Sequence, residues 1–205
     1  MEQTNTNSAT FLSVGTFRSA AREALKGTWG NAALCTLLYA VVSGVASYIP
    51  LGGIFVSGVL SFGFSVAMLH HMRGVSPDNL TTRPFNAFNN YGRYLGGSFL
   101  RSLYTSLWTL LLIIPGIIMA YAYAMTPYIL HDQPELSPHQ CIVRSKEMMR
   151  GYKWKLFCLD LSFIGWLLLC VITLGILSFW VHPYMECARA RFYEELKKQN
   201  ATVIE

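Results

Sequence analysis

The sequence predicts an all-α fold: a polytopic membrane bundle of six transmembrane helices in three repeated hairpins, with cytoplasmic amphipathic helices. Three observations predict it. Only 13% of the 205 residues are charged and 53% are hydrophobic, whereas soluble domains carry roughly 25% charged residues. Long apolar runs alternate with short basic segments. The predicted turns between paired runs carry no Lys or Arg.

The first hairpin follows a polar tail and an amphipathic segment. The tail, placed at residues 1–15, is rich in Thr, Asn, Ser and Gln over its first ten residues and is predicted to be disordered. Residues 16–27 alternate apolar and charged side chains as a helix lying in the membrane interface does. A first span is predicted at about residues 30–48. Pro50 and Gly53 then turn the chain into a second span.

The second hairpin is predicted from an apolar run, Leu95 to Leu130, whose only formal charge is Arg101. One straight helix of that length would measure about 54 Å at 1.5 Å per residue. A hydrocarbon core is about 30 Å thick, so the run suits two short passes. Pro115 lacks an amide proton and Gly116 tolerates unusual dihedral angles, so the break is placed there.

The third hairpin resembles the other two in its spacing. It is preceded by a capping box with proline at the first helical position, Ser137 to Gln140. The intervals from opening to breaking glycine are 26, 24 and 24 residues: Gly27 to Gly53, Gly92 to Gly116, and Gly151 to Gly175. This spacing predicts a threefold internal repeat. The alternative is that membrane hairpins resemble each other through composition alone.

These units give one membrane domain over residues 16–199. The repeats are placed at about 16–72, 82–131 and 137–199, and residues 200–205 form a C-terminal tail.

The orientation follows from the basic residues. Fifteen of the sixteen Lys and Arg residues precede the first helix, fall in 73–93 or 144–155, or follow residue 188. Positive charge is retained in the cytoplasm, so both termini and the amphipathic segments are predicted to be cytoplasmic, with six spans. A topology of three long spans would place successive basic clusters on opposite faces of the membrane, so it is rejected in favour of six spans.

Few formal charges fall inside the predicted spans. Arg101 lies nine residues after Gly92, and Asp160 lies nine residues after Gly151, so the two are predicted at similar depth. Glu186 lies at comparable depth on the sixth helix. His182 precedes Glu186 by four residues and shares its face.

Arg101, Asp160, His182 and Glu186 form a predicted polar cluster. Because buried charge is costly, these side chains should face one another or a water-filled cavity. Three interpretations stay open: a ligand-binding site, a structural ion pair, or an Arg101 side chain that extends alone to the lipid headgroups.

Other chemistry has little support. The sequence has no nucleotide-binding, hydrolase or metalloprotease motif, so no catalytic residue, cofactor or metal site is predicted. The five cysteines are scattered without a C-x-x-C pair, as expected of reduced, buried thiols. No basic patch is interleaved with aromatic residues, so nucleic-acid binding is not expected.

Four segments resemble a bacterial family of integral membrane proteins catalogued as a domain of unknown function, number nine hundred and seventy-five. They are Ile114–Ile118 (IPGII), Pro127–Leu130 (PYIL), Ser145–Gly151 (SKEMMRG) and Leu159–Trp166 (LDLSFIGW). The resemblance implies a six-helix bacterial membrane protein and brings no activity, cofactor or catalytic residue.

The polar cluster and the repeat together predict a non-enzymatic module that binds a lipid, a small molecule or a protein partner within the bilayer. Membrane lipid is the expected contact, and a homo-oligomer is compatible with the pattern. A small-solute transporter or channel is one alternative and would require a continuous polar path. A membrane-embedded lipid enzyme is the other and would require an acid, base or nucleophile near the interface.

Overall fold

The computed structural model of the chain describes residues 11–48, 52–74 and 83–202. These residues form ten α-helices and one 3-10 helix and contain no strand, which confirms the predicted all-α class. The helices are α1 (Val14–Ala24), α2 (Trp29–Ser47), α3 (Gly52–Met72), the 3-10 helix (Arg83–Asn90), α4 (Tyr91–Leu111), α5 (Ile113–Ala122), α6 (Thr126–Asp132), α7 (Pro138–Met148), α8 (Lys153–Leu161), α9 (Ile164–Ile172) and α10 (Ser178–Thr202).

The amphipathic helix α1 buries its apolar face against α10 and α8. Phe17 is 1% exposed, and its ring centroid lies 5.3 Å from that of Phe192 on α10. Phe11, which precedes the helix, packs 5.1 Å from Phe192 and 4.7 Å from Tyr152. Residues 1–10 of the predicted tail lie outside the described residues, whereas Phe11 belongs to the core.

Helices α2 and α3 pack against each other, and Pro50 of the predicted turn lies outside the described residues. Two glycines let α3 approach its other neighbours closely. A Cβ atom at Gly58 would lie 2.8 Å from Ser98 Oγ on α4. One at Gly63 would overlap the carbonyl oxygen of Pro84 in the 3-10 helix. Such close approach through small residues is typical of helices packed within a membrane.

Helices α4 and α5 form a tight pair that is joined by one extended residue, Leu112, at φ −161° and ψ 137°. The chain therefore turns three residues before the predicted break. Pro115 lies in the first turn of α5, where its missing N–H has no intrahelical partner to lose. Gly116 instead serves packing, because a Cβ atom there would lie 2.7 Å from Thr109 Cα.

The predicted capping box is present at the start of α7. Gln140 N donates to Ser137 Oγ at 3.3 Å, and Ser137 N donates to Gln140 Oε1 at 2.8 Å. Buried Ser145 then fastens α7 to the turn between α5 and α6. Its hydroxyl donates to the carbonyl oxygen of Ala122 at 2.8 Å and accepts from Met125 N at 3.2 Å.

The turn between α9 and α10 lies at the predicted third break. Leu174 and Gly175 have φ angles of 51° and 85°, and Gly175 N donates to the carbonyl oxygen of Cys170 at 2.8 Å. From there α10 runs for 25 residues past α1, α2 and α3. This long helix therefore carries residues into both the bundle centre and its charged end.

Three apolar segments among the described residues are long enough to cross a membrane: Trp29–Ala46, Ile113–Asp132 and Lys153–Ile172. Val56–Met72 is a shorter apolar helix. The protein is thus helical with apolar helices compatible with a membrane protein. Large apolar side chains face outward along these helices and α4, between 43% and 86% exposed: Leu37, Val41, Val45, Leu107, Leu110, Ile113, Ile114, Ile117, Leu168, Val171 and Ile172.

Charged side chains join α3, α6 and α10 at one end of the bundle. Arg73 binds Asp132 through two hydrogen bonds of 2.6 and 2.8 Å and also donates to Glu194 at 2.7 Å. Lys197 and Tyr193 donate to Asp132 at 2.9 and 3.1 Å. Burial and the Asp132 carboxylate raise the pKa of Tyr193, so its hydroxyl stays protonated as a donor.

Candidate functional site: a polar cluster between the helices

The cluster is organised by Arg189, whose guanidinium binds two carboxylates. Its Nε and Nη2 donate to the two oxygens of Asp160 on α8 at 3.2 and 3.0 Å. Its Nη1 donates to Glu186 Oε1 at 3.0 Å, across one turn of α10. Bidentate pairing of this kind is geometrically specific as well as strong. Arg189 therefore couples α8 to α10.

The second oxygen of Glu186 connects α10 to two more helices. Ser65 on α3 donates to Glu186 Oε2 at 2.8 Å, and Tyr128 on α6 donates to it at 3.3 Å. Glu186 is 9% exposed and Tyr128 is 2% exposed. Both carboxylate oxygens are thus engaged, as a buried carboxylate requires.

A cavity of about 240 Å³ adjoins Glu186. Its polar wall includes Arg101 on α4, His182 and Glu186 on α10, and two serines of α3; all lining residues are Tyr39, Ser61, Phe62, Phe64, Ser65, Arg101, His182 and Glu186. The Arg101 guanidinium carbon lies 5.8 Å from the centroid of the Phe62 ring. Within the described residues, Arg101 forms no ion pair shorter than 4 Å.

His182 is held by rings rather than by hydrogen bonds. Its centroid lies 4.8 Å from that of Phe64 and 5.9 Å from that of Tyr39, with the Tyr39 ring stacked. Its Nδ1 atom is buried and has no hydrogen-bond partner among the described residues. The imidazole therefore has a free ring nitrogen beside the Glu186 carboxylate. Among the described residues, no hydroxyl group is hydrogen-bonded to this nitrogen, as a nucleophile paired with a histidine base would be.

A second cavity of about 390 Å³ shares Tyr39 and Ser61 with the first. It lies between α2, α3 and α4 and is lined by Tyr39, Ser57, Gly58, Ser61, Leu95, Ser98, Phe99 and Ser102. Phe99 is 50% exposed, so this cavity reaches the flank of the bundle. Ser57, Ser61 and Ser65 follow one another at intervals of four residues, which places them along one face of α3.

Three of the four predicted site residues meet at one cavity: Arg101, His182 and Glu186. Asp160 does not line it and joins the cluster through Arg189. Sequence reasoning missed Arg189, because it was assigned to the charged segment after the sixth span. The available signal was its position three residues after Glu186, a spacing at which opposite charges meet on a helix.

The arrangement presents several polar side chains to the cavity. Among the described residues, no group of three His, Cys, Asp or Glu side chains is placed to hold a metal ion. The free hydrogen-bonding groups at the cavity are the Arg101 guanidinium and His182 Nδ1.

Comparison with models of known protein families gives a match in the second half of the chain. Residues 102–200 match the model of a protein of unknown function, DUF975. This match confirms the resemblance predicted from the sequence. The DUF975 region contains Asp160, His182, Glu186 and Arg189, whereas Arg101 lies one residue before it. No match is found among curated proteins or among solved structures.

Proposed function

We propose that the chain is a non-enzymatic integral membrane module that binds a small molecule or a lipid in its helical bundle. In this proposal it crosses a bacterial cytoplasmic membrane six times as three repeated hairpins, with both termini in the cytoplasm. The DUF975 match brings no activity, so the proposal depends on the chain's own geometry.

The membrane part of the proposal is supported by the distribution of surface residues. Helices α2, α4, α5 and α9 all carry large apolar side chains that face outward, and large exposed apolar patches mark membrane or protein interfaces. The charged network of Arg73, Asp132, Glu194 and Lys197 joins the ends of α3, α6 and α10. A charged end beside an apolar flank is what the retention of positive charge in the cytoplasm would produce.

The ligand-binding part of the proposal is supported by the cavity beside Glu186. Its walls bring a guanidinium, an imidazole and a carboxylate together inside an otherwise apolar bundle. Ionisable groups are costly inside a membrane and usually face an interior cavity with a function. Concave sites with a few convergent polar groups and aromatic walls are also the usual form of small-molecule sites.

The test is a search for a bound molecule by native mass spectrometry of the purified chain. We expect a copurifying lipid or solute that is lost from Ser61→Leu, because Ser61 lines both cavities and a leucine there would fill them. Ser106→Leu, at an exposed position of α4, is the matched control and should keep the molecule. A folded wild-type chain that carries no ligand and binds none would contradict the proposal.

A transporter is the second candidate, favoured by the reach of the cavities along α3. From Ser65 to Ser57 the polar wall covers about 12 Å at 1.5 Å per residue. The polar path therefore extends beyond the depth of Glu186. Passage of a solute into liposomes that Ser57→Leu blocks and Ser106→Leu does not would establish transport over binding alone.

A further inference from the structure

The charges of the polar cluster balance without a ligand. Arg189 lies between two carboxylates, Asp160 and Glu186, and leaves one negative charge uncompensated. Arg101 lines the same cavity as Glu186 and supplies the second positive charge. With His182 neutral, the four formal charges cancel. Any charged ligand must therefore bring or induce a compensating charge, because an unpaired charge in the bundle is costly.

The unused hydrogen-bonding groups of the cavity indicate the chemical class of its ligand. Glu186 already accepts from Arg189, Ser65 and Tyr128, so it has little capacity left for a cationic ligand. The Arg101 guanidinium, in contrast, has a ring beside it and no ion pair within the described part of the chain. A planar guanidinium binds a carboxylate or a phosphate in its fork. The ligand group that matches the cavity is therefore an acid.

Resting on the proposed ligand-binding function, we propose that the cavity binds the acid group of its ligand, a carboxylate or a phosphate ester, together with one proton that His182 takes from water. The ligand's negative charge pairs with Arg101. The imidazolium then restores neutrality, because Glu186 keeps its pairing with Arg189. Acid and proton favour each other's binding, since such coupling is reciprocal.

The surroundings of His182 allow this exchange. Burial among aromatic rings opposes an imidazolium at His182. On α10, the Glu186 carboxylate four residues later favours the imidazolium, and the Arg189 guanidinium seven residues later opposes it. Arg101 enters the cavity from α4 and Tyr39 stacks on the ring from α2, while α3 contributes Phe64 and the Ser65 hydroxyl. A bound acid adds a negative charge to the cavity that His182 lines, and this charge favours an imidazolium.

The adjoining cavity accommodates the rest of the molecule. Its wall includes Leu95 and Phe99, and half-exposed Phe99 places its mouth at the flank of the bundle. The same acid group could belong to an amphiphile that enters from the membrane or to a small soluble acid. Decanoate and inorganic phosphate are suitable probes for these two sources, with decanol as the uncharged counterpart of decanoate.

The experiment is calorimetric titration of the purified full chain in neutral detergent, in two buffers of different ionisation enthalpy. We expect decanoate or phosphate to bind with uptake of one proton. Because binding takes up a proton, the affinity for the acid should fall as the pH rises above the range in which histidine titrates. The expected fall is up to about tenfold per pH unit. Binding of decanoate indicates the amphiphile, and binding of phosphate alone indicates the soluble acid.

Four variants separate the roles. Arg101→Gln should abolish binding, and His182→Gln should leave weaker binding without proton uptake or pH dependence. Arg150→Gln and His139→Gln, both at exposed positions outside the cavity, should behave as the wild type. If Arg101→Gln does not fold, the pH profile of the wild type and of His182→Gln still decides the proton's role.

The contrary outcomes are distinct. Decanol binding as tightly as decanoate would overturn the acid specificity and leave the proposed function intact. Acid binding that depends on Arg101 without proton uptake would overturn the role of His182. Absence of binding by every probe, with no copurifying molecule, would overturn the proposed function as well.

Discussion

Arg189 holds two carboxylates from different helices, so its removal should affect more than one pair. Asp160 is 17% exposed and Glu186 is 11% exposed in their side chains. Without the guanidinium, Asp160 would lose two hydrogen bonds, and Glu186 would keep only the Ser65 and Tyr128 hydroxyls as donors. Removing one partner of a buried ion pair is far more costly than the pair's net contribution to stability, because the other charge is left behind.

We therefore expect Arg189→Met to lower the free energy of unfolding in detergent by about 3 kcal/mol. Asp160→Asn should restore part of that loss in the double variant, which a double-mutant cycle measures as a coupling energy. The exposed Arg144–Glu147 pair on α7 is the control, with an expected coupling below about 0.5 kcal/mol. Equal coupling in the two cycles would contradict the central role of Arg189.

How closely α4 and α5 pack depends on one residue in each helix. The turn at Leu112 brings Thr109 and Gly116 into contact, and no room is left for a side chain on α5. Gly165, near the start of α9, has no other atom within 4 Å of an added Cβ and so differs in its surroundings alone. These two helical glycines make a matched comparison.

Gly116→Ala should destabilise the protein by about 1–3 kcal/mol, because the methyl group overlaps Thr109 and forces the helices apart. Gly165→Ala should be neutral or stabilise it by up to about 1 kcal/mol, since alanine favours helix and has space. Thermal unfolding in detergent measures both. A Gly116→Ala protein as stable as the wild type would show that the α4–α5 contact tolerates separation.

The sequence predicted element types well and exact contacts poorly. The capping box at Ser137 and Gln140 was predictable because its hydrogen bonds are local. The break was placed at Pro115 and Gly116 because proline lacks an amide proton and glycine tolerates unusual dihedral angles, whereas the fold uses Gly116 for contact with Thr109. Arg189 was missed because it was assigned to the charged segment after the predicted sixth span. Its spacing of three residues from Glu186 was a local signal, whereas its pairing with Asp160 joins residues 29 positions apart.

Across the whole molecule, the clustered charged side chains and the exposed apolar side chains lie in different regions of the surface. Arg73, Asp132 and Glu194 are drawn together at the end of three helices. Leu174, in the turn between α9 and α10, is 93% exposed and lies among apolar neighbours. An exposed apolar turn and an exposed basic residue such as Arg150 are suited to opposite sides of a membrane.

The proposed orientation predicts opposite labelling of two introduced cysteines. In intact cells, Leu174→Cys should react with an impermeant maleimide, and Arg150→Cys should react only after the membrane is opened. Both positions are exposed, so accessibility within the fold is matched. The unmodified chain, whose five thiols include four buried ones, gives the background. Labelling of Arg150→Cys from outside would contradict the six-span orientation.

The placement of His182 and Glu186 on α10 has a consequence for the order of biosynthesis. Ribosomes deliver this helix after the segments that provide Arg101, Ser65 and Asp160. Until α10 arrives, Asp160 lacks its guanidinium and the cavity lacks two of its polar walls. Arg101 on α4 and Asp160 on α8 are therefore synthesised before the charged residues of α10 that lie beside them. The site is complete only once α10 has packed against these earlier helices.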